Sequence, residues 1–354
     1  MITPERIGAL QNFGYNPSEG RFLCIAALQA GYFLRRQVLS YIGGTKGWKD
    51  VAFINKLRAN RHCRITVYRH NLMLYHLSAK PLYIALGDTD NRNRREHQPS
   101  TIKNKLMGLD YVLEHPSYNY LATEREKLDY FTQALKIATE DLPMRWFESP
   151  RKHEATAKYF VEKYPLFIAT PPEGTRLVVH FGFVDEGLQT TDRFQTFLEQ
   201  YSRLLGTLPD FRIIYIAQHP GLFESAKQRF EEFSKTIGRQ GGALDPDSRC
   251  LLDYFEARRE YEARDFSRFD TARLIRYREA KKRFAEEQYE ALFHEWRTGG
   301  TAALVTNLHP DQAPKEIPIE RFSTCVLNHD YDLFGTLTSR SLRPVVAARV
   351  QTET

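Results

Sequence analysis

The chain has 354 residues, of which 42% are hydrophobic and 27% are charged; this composition predicts packed globular domains, and the length suffices for two or three. No apolar run approaches the roughly 20 residues that span a bilayer, and residues 1–14 lack a basic leader and an apolar signal core. We therefore expect a cytoplasmic protein with no membrane partner. The four cysteines form no CxxC pair, which argues against a zinc finger and a disulfide framework.

The net positive charge of the chain lies in residues 1–110, where acidic residues are few. The formal net charge is +6, but residues 1–110 hold 17 Lys and Arg against seven Asp and Glu, so the remaining residues sum to −4. Such segregation is the electrostatic footprint expected of a nucleic-acid-binding surface. The alternative is that these basic side chains only form a solvated surface.

The N-terminal residues predict three helices and a β-hairpin. The first helix begins at Pro17 and the second spans about residues 32–41. The third spans about residues 48–60, and its apolar side chains recur three and four apart, on one side. Alternating β-branched residues predict strands at 64–68 and 72–77, joined by a turn near 69–71. This succession matches the winged variant of the helix-turn-helix.

In such a domain the third helix enters the major groove and the hairpin lies against flanking phosphates. Asn55 could contact adenine through two hydrogen bonds, and Lys49 and Lys56 could meet guanine or phosphate. Winged helices also bind proteins, so a protein-binding surface remains the alternative. The candidate DNA-binding residues are Lys46, Trp48, Lys49, Asn55, Lys56, Arg61, Arg64, Arg69 and His70.

The middle of the chain predicts a linker and a helical connector. The polar, arginine-containing segment 88–105 predicts a mobile loop or linker. Residues 102–165 predict helices, among them one that begins with a capping box of Thr123 and Glu126 and another at 152–163.

The pattern then changes to α/β. Nearly all-apolar strands are predicted at 166–169, 176–184 and 211–217, as in a sheet covered on both faces, with a helix at 191–205. Alternating charges at 249–297 predict an arm of two helices, followed by an irregular tail. The predicted domains are a winged helix-turn-helix at 1–88, a linker and helical connector at 89–165, an α/β core at 166–240, and a helical arm with tail at 241–354.

Two stretches resemble the replication-relaxation type of winged-helix protein found on plasmids and mobile elements. Residues 53–57 and 75–82 are similar to that family's helix, wing and exit. Residues 181–187, the following helix and residues 213–215 are similar to its second domain, which is related to restriction-endonuclease-like cores. The resemblance implies a DNA-binding N-terminal domain followed by a degenerate nuclease-like domain.

A nuclease of that type needs acidic side chains on neighbouring strands to hold Mg²⁺, and a lysine near the attacking water. Here Leu166 and Phe183 stand where acids would be expected, and no lysine follows. Asp185, Glu186 and Asp192 are the remaining candidates, or they are simply polar residues where a strand exits into a turn. We therefore expect a nuclease-like scaffold without catalysis, cofactor or metal ion.

The sequence thus favours a non-enzymatic protein that binds double-stranded DNA, acting in transcription regulation, replication or recruitment on a plasmid or mobile element. One alternative is a metal-dependent nuclease that uses the three acids. Another is an adaptor subunit of a multiprotein DNA-processing assembly. In the DNA-binding protein, the C-terminal half could hold a protein partner or a second copy of the chain.

Overall fold

The computed structural model describes residues 2–43, 47–67, 73–148, 155–161, 164–171, 176–238, 246–262, 269, 271–308 and 317–331. It is a mixed α/β structure in which several small sheets are combined with helices. Two compact units are distinguished. The first comprises Met1–Gln200, Asp210–Lys227 and Glu320–Thr354, and the second comprises Tyr201–Pro209 and Gln228–Ile319.

The first unit opens with helices, a short strand and a hairpin. A capping box of Asn16 and Glu19 fixes the start of the second helix, because each side chain satisfies a free backbone N–H. The elements are α1 (Pro4–Gln11), α2 (Pro17–Ile25), β1 (Tyr32–Leu34), α3 (Arg35–Ile42), α4 (Trp48–Ala59), β2 (Cys63–Val67) and β3 (Met73–Leu77).

These three strands form an antiparallel sheet in the order β1-β3-β2. The predicted α4 and the two hairpin strands are confirmed, whereas the predicted turn at 69–71 lies outside the described residues. The helix predicted from residue 32 is wrong in its first turn: Tyr32–Leu34 is a strand because its backbone pairs with β3. Phe22, Phe33 and Phe53 pack in the core beside the sheet.

The segment after the hairpin is packed, which corrects the predicted mobile linker at 88–105. It follows α5 (Lys80–Ala85) and leads into α6 (Pro99–Glu114). The buried Asn93 side chain donates to the carbonyls of Ala27 and Leu28 at 2.9 and 3.0 Å. Gly31, at φ +76°, allows this approach, since a Cβ there would lie 2.6 Å from Asn93.

The predicted helical connector at 102–165 contains strands as well as helices. The predicted capping box is confirmed, since Thr123 and Glu126 satisfy each other's backbone N–H groups. The helix predicted at 152–163 is wrong: the described residues 155–159 form a strand that pairs antiparallel with residues 144–148. The elements are β4 (Asn119–Tyr120), α7 (Glu124–Leu128), β5 (Met144–Glu148) and β6 (Ala155–Tyr159).

The three predicted α/β strands and the predicted helix at 191–205 are confirmed, with small shifts at their ends. All eight residues of the central strand are buried, as expected for a strand covered on both faces. The elements are β7 (Leu166–Ala169), β8 (Val178–Asp185), α8 (Asp192–Thr207), β9 (Phe211–Ala217) and α9 (Phe223–Gly238).

The second unit contains α10 (Pro246–Glu262), α11 (Thr271–Arg283) and α12 (Glu287–Leu308). Residues 249–297 therefore span three helices rather than the predicted two. Aromatic side chains form the core of this unit: Tyr254, Phe255, Tyr277, Phe284, Phe293 and Trp296. In the part of the chain that the structure describes, no helix has both the length and the apolar character needed to cross a membrane.

The tail predicted as irregular returns to the first unit as β10 (Phe322–Val326), which pairs in parallel with β9. The resulting sheet has the order β10-β9-β8-β7-β4. β8, β9 and β10 run parallel, whereas β7 is antiparallel to β8 and β4 is antiparallel to β7. The end of β8 thus lies beside β9, and this places Asp185 opposite Ala217.

Candidate nucleic-acid interface

The outer side of α4 is the surface that the sequence predicts to contact DNA. Trp48 is 84% exposed, and Lys49, Val51 and Asn55 are exposed as well. We call these four side chains the α4 surface. Within the described part of the chain, Lys49 and Asn55 have no hydrogen-bond or ion-pair partner. Their polar groups are therefore free to contact another molecule.

The start of α4 is held against α3 by a buried carboxylate that the sequence did not single out. Asp50 is buried, forms an ion pair with Arg35 of α3, and accepts from the backbone N–H of Gly47 at 3.1 Å. Burial alone would raise the pKa of Asp50, but the hydrogen bonds from Arg35 and Gly47 outweigh it and lower that pKa. The carboxylate stays ionised and fixes the helix that carries the α4 surface.

Lys56 differs from the other predicted α4 contacts. Its ammonium lies 2.8 Å from Glu19 of α2, and the side chains are 36% and 5% exposed, respectively. Glu19 also belongs to the capping box of α2. Lys56 therefore joins α4 to α2 and neutralises a buried acid, and the predicted contact of Lys56 with DNA stays a prediction.

The predicted contacts beside the hairpin are only partly described. Arg61 is exposed and adopts a left-handed backbone conformation, with φ +53°. Arg64 lies on β2 and pairs with Glu96 at 2.8 Å, and both side chains are largely exposed. Such an exposed pair is weak and exchanges readily with solvent or a partner. Lys46, Arg69 and His70 lie outside the described residues.

Comparison of the chain with protein-family models, with curated proteins and with solved structures gave no match. The chemistry of the α4 surface must therefore be inferred from its own residues. It presents one ammonium, one amide and an exposed indole on a fixed helix, which are groups that can contact phosphates, base edges and base faces, respectively.

The predicted acidic candidates lie where β8 ends, and their oxygens are engaged within the protein. Asp185 accepts from the backbone N–H groups of Gly187 and Leu188 at 2.8 and 2.7 Å. Its second oxygen accepts from the Tyr215 hydroxyl at 2.9 Å. Burial and then the Asp185 carboxylate raise the pKa of Tyr215, so that hydroxyl keeps its proton at neutral pH and donates it.

Glu186 is engaged through both oxygens, as Asp185 is, whereas Asp192 accepts one hydrogen bond at the surface. Glu186 is buried, forms an ion pair with Arg193, and accepts from the Asn104 side-chain amide at 3.1 Å. Asp192 is exposed at the start of α8 and accepts from the Thr190 hydroxyl at 2.8 Å. Across the described residues, no group of three or more His, Cys, Asp or Glu side chains is placed to hold a metal ion. These contacts match the alternative of polar residues at a strand exit.

Proposed function

We propose that the N-terminal part of the first unit is a winged helix-turn-helix that binds double-stranded DNA. The element order α2, β1, α3, α4, β2, β3 and the sheet order β1-β3-β2 support this, because a winged helix has this connectivity. The α3–α4 pair supplies the helix-turn-helix, α4 is the recognition helix, and the β2–β3 hairpin is the wing.

The observation that carries the proposal is that Lys49 and Asn55 are available to bind another molecule. Both side chains are exposed on one helix and have no partner among the described residues. Asn55 can hydrogen-bond an adenine edge with its amide, and Lys49 can bind guanine or a phosphate. The excess of basic residues in 1–110 adds the long-range attraction that brings DNA to this surface.

We further propose that the chain acts by binding rather than by cleaving DNA. The acids at the end of β8 are engaged with Tyr215, Arg193 and Asn104, and this supports a structural role for them. The resemblance to replication-relaxation proteins supports a place on a plasmid or mobile element. There the bound protein would regulate transcription, take part in replication, or recruit a partner through its C-terminal half.

The test is an electrophoretic mobility shift of the full chain with duplex DNA at several salt concentrations. We expect affinity to fall as salt rises, because bound cations are released from the phosphates. Lys49→Glu should weaken binding about tenfold, since it places a like charge against the backbone. Lys80→Glu is the matched control: Lys80 is an exposed lysine on α5, outside the α4 surface, and its reversal should have a much smaller effect.

Two outcomes would overturn the proposal: no duplex binding at low salt, or equal affinities for the wild type and Lys49→Glu. Incubation of the protein and supercoiled plasmid with Mg²⁺ or Mn²⁺ tests the proposal that the chain binds DNA without cleaving it. We expect the plasmid to stay intact, and metal-dependent cleavage that is lost in Glu186→Gln would show that the chain is a nuclease.

A further inference from the structure

The first unit contains a cavity of about 290 Å³ that the proposed DNA-binding surface does not use, and its walls combine apolar surface with several charged and polar side chains. Five parts of the unit form it: the segment before α6, the first turns of α6, Val161 with Tyr164, Glu186 directly after β8, and Arg193 in the first turn of α8. The residues that matter for its chemistry are Arg92, His97, Ser100, Lys105, Glu186 and Arg193.

Cations outnumber acids in this lining. Arg92, Lys105 and Arg193 are the basic residues of the lining, whereas Glu186 is the one carboxylate among the lining residues. Both oxygens of Glu186 are engaged, one with Arg193 and the other with Asn104. The lining therefore carries a formal excess of two positive charges.

Lys105 brings one of these charges deep into the unit. Its side chain belongs to a residue that is only 7% exposed, and its ammonium donates to the Asn93 side-chain oxygen. An ammonium held away from bulk water exerts a stronger field than a solvated one, because the effective dielectric constant is lower there. One wall of the cavity therefore carries an ammonium that is held in place inside the fold, unlike the ammonium of a mobile surface lysine.

His97 lies on the same wall as Lys105. Burial and then the charge of Lys105 lower the pKa of His97 to about 4, so its imidazole is neutral at pH 7. Its Nε2 atom is buried and has no hydrogen-bond partner among the described residues. The ring packs edge-on against Tyr32 at 6.1 Å, which keeps this wall in place.

The start of α6 adds hydrogen-bond donors to the same wall. Ser100 and Thr101, in the first turn of this 16-residue helix, line the cavity, and no side chain caps the helix start. Free backbone N–H groups at a helix N-terminus carry a partial positive charge and favour anions.

We propose that this cavity binds a small phosphate-bearing molecule, no larger than a nucleoside monophosphate. A phosphate monoester carries close to two negative charges at pH 7, which matches the excess of the lining, whereas a carboxylate would balance only half of it. The volume lies at the lower end of the range for ligand pockets, so it suits a single phosphate with at most one ring system. This inference is independent of DNA binding.

Isothermal titration calorimetry of the full chain, at constant ionic strength and without DNA, tests the proposal. The titrants are inorganic phosphate, deoxyadenosine 5′-monophosphate and deoxyadenosine. We expect saturable binding of one equivalent of phosphate or of the monophosphate, and no binding of deoxyadenosine. Tighter binding of the monophosphate would identify a nucleotide as the source, and equal affinities would identify the phosphate group alone.

Ser100→Asp separates loss of the site from loss of the fold. An acid in the first turn of a helix stabilises that helix, but here it places a negative charge in the cavity. We expect unchanged or higher thermal stability and affinity weakened at least about tenfold, because like charges a few ångströms apart repel strongly at low dielectric. Arg92→Gln should weaken binding by about the same factor.

Arg125→Gln is the matched control, since the Arg125 side chain is 90% exposed on α7 and does not line the cavity. This variant should bind phosphate and the monophosphate with wild-type affinity. The proposal is overturned if the wild type binds neither phosphate nor the monophosphate saturably. It is also overturned if folded Ser100→Asp binds them with wild-type affinity.

Discussion

The α4 surface and the end of β8 carry the two sets of polar side chains that the sequence singles out, and the fold uses them differently. Lys49 and Asn55 are exposed, without partners among the described residues. Asp185 and Glu186 are 4% and 5% exposed, and their oxygens accept hydrogen bonds from neighbours. A buried polar group must be satisfied internally, whereas an exposed one is satisfied by water and can exchange it for a partner. The difference indicates a structural role for the acids and leaves the α4 side chains open to contact a partner.

The largest expected effect is a loss of stability when Asp185 is replaced, and it tests the structural role of the buried acids. Asp185→Ala should lower the free energy of unfolding by about 3 kcal/mol, since the buried Tyr215 hydroxyl and two backbone N–H groups lose their acceptor. Urea denaturation measures it. The exposed Asp192→Ala is the control and should change stability by less than about 0.5 kcal/mol. Equal stabilities of Asp185→Ala and the wild type would contradict the structural role.

The next largest effect concerns DNA binding by the α4 surface. Asn55→Ala should weaken binding to a preferred duplex, selected from a random library, by about 2 kcal/mol, because the amide contributes to base readout. Affinity for unrelated duplex should change little, since phosphate contacts dominate there. Fluorescence anisotropy with both duplexes measures the two affinities. Asn119→Ala, at an exposed position in β4, is the control, and parallel losses on both duplexes would argue against readout by Asn55.

The smallest predicted effect concerns Lys56, which shares features of both regions. Lys56→Ala should lower the free energy of unfolding by about 1 kcal/mol, because the buried Glu19 carboxylate loses its cation. Lys49→Ala, on the same helix, should leave stability within about 0.5 kcal/mol of the wild type. Thermal and urea unfolding measure both. If Lys49 were instead the stabilising residue, the division of roles between the two lysines would be reversed.

Local patterns in the sequence were sufficient to predict the helix that carries the α4 surface and several other elements. The apolar side chains Phe53, Ile54 and Leu57 mark the buried side of α4, since a helical repeat is visible within four residues. The capping box of Thr123 and Glu126 and the apolar runs of β7 and β9 are equally local. Each of these signals requires only residues that are close together in the chain.

Three short strands, β1, β6 and β10, could be recognised only from the tertiary structure. Phe322 of β10 pairs with Ile213 of β9, and Tyr32 of β1 pairs with His76 of β3. Neither segment shows the regular alternation that predicts β2 and β3, so its state depends on a distant partner that supplies the backbone hydrogen bonds. The strand at residues 155–159, predicted as part of a helix, likewise forms by pairing with residues 144–148.

The fate of each charge also depends on distant residues. Lys56 meets Glu19 across 37 positions, Asp185 meets Tyr215 across 30, and Glu186 meets Asn104 across 82. The sequence by itself determined which residues carry charge and which helix presents them. Only the tertiary structure decided which of these groups are neutralised inside the protein and which remain open to a partner, because ion pairs and hydrogen bonds form between side chains that folding brings within about 3 Å.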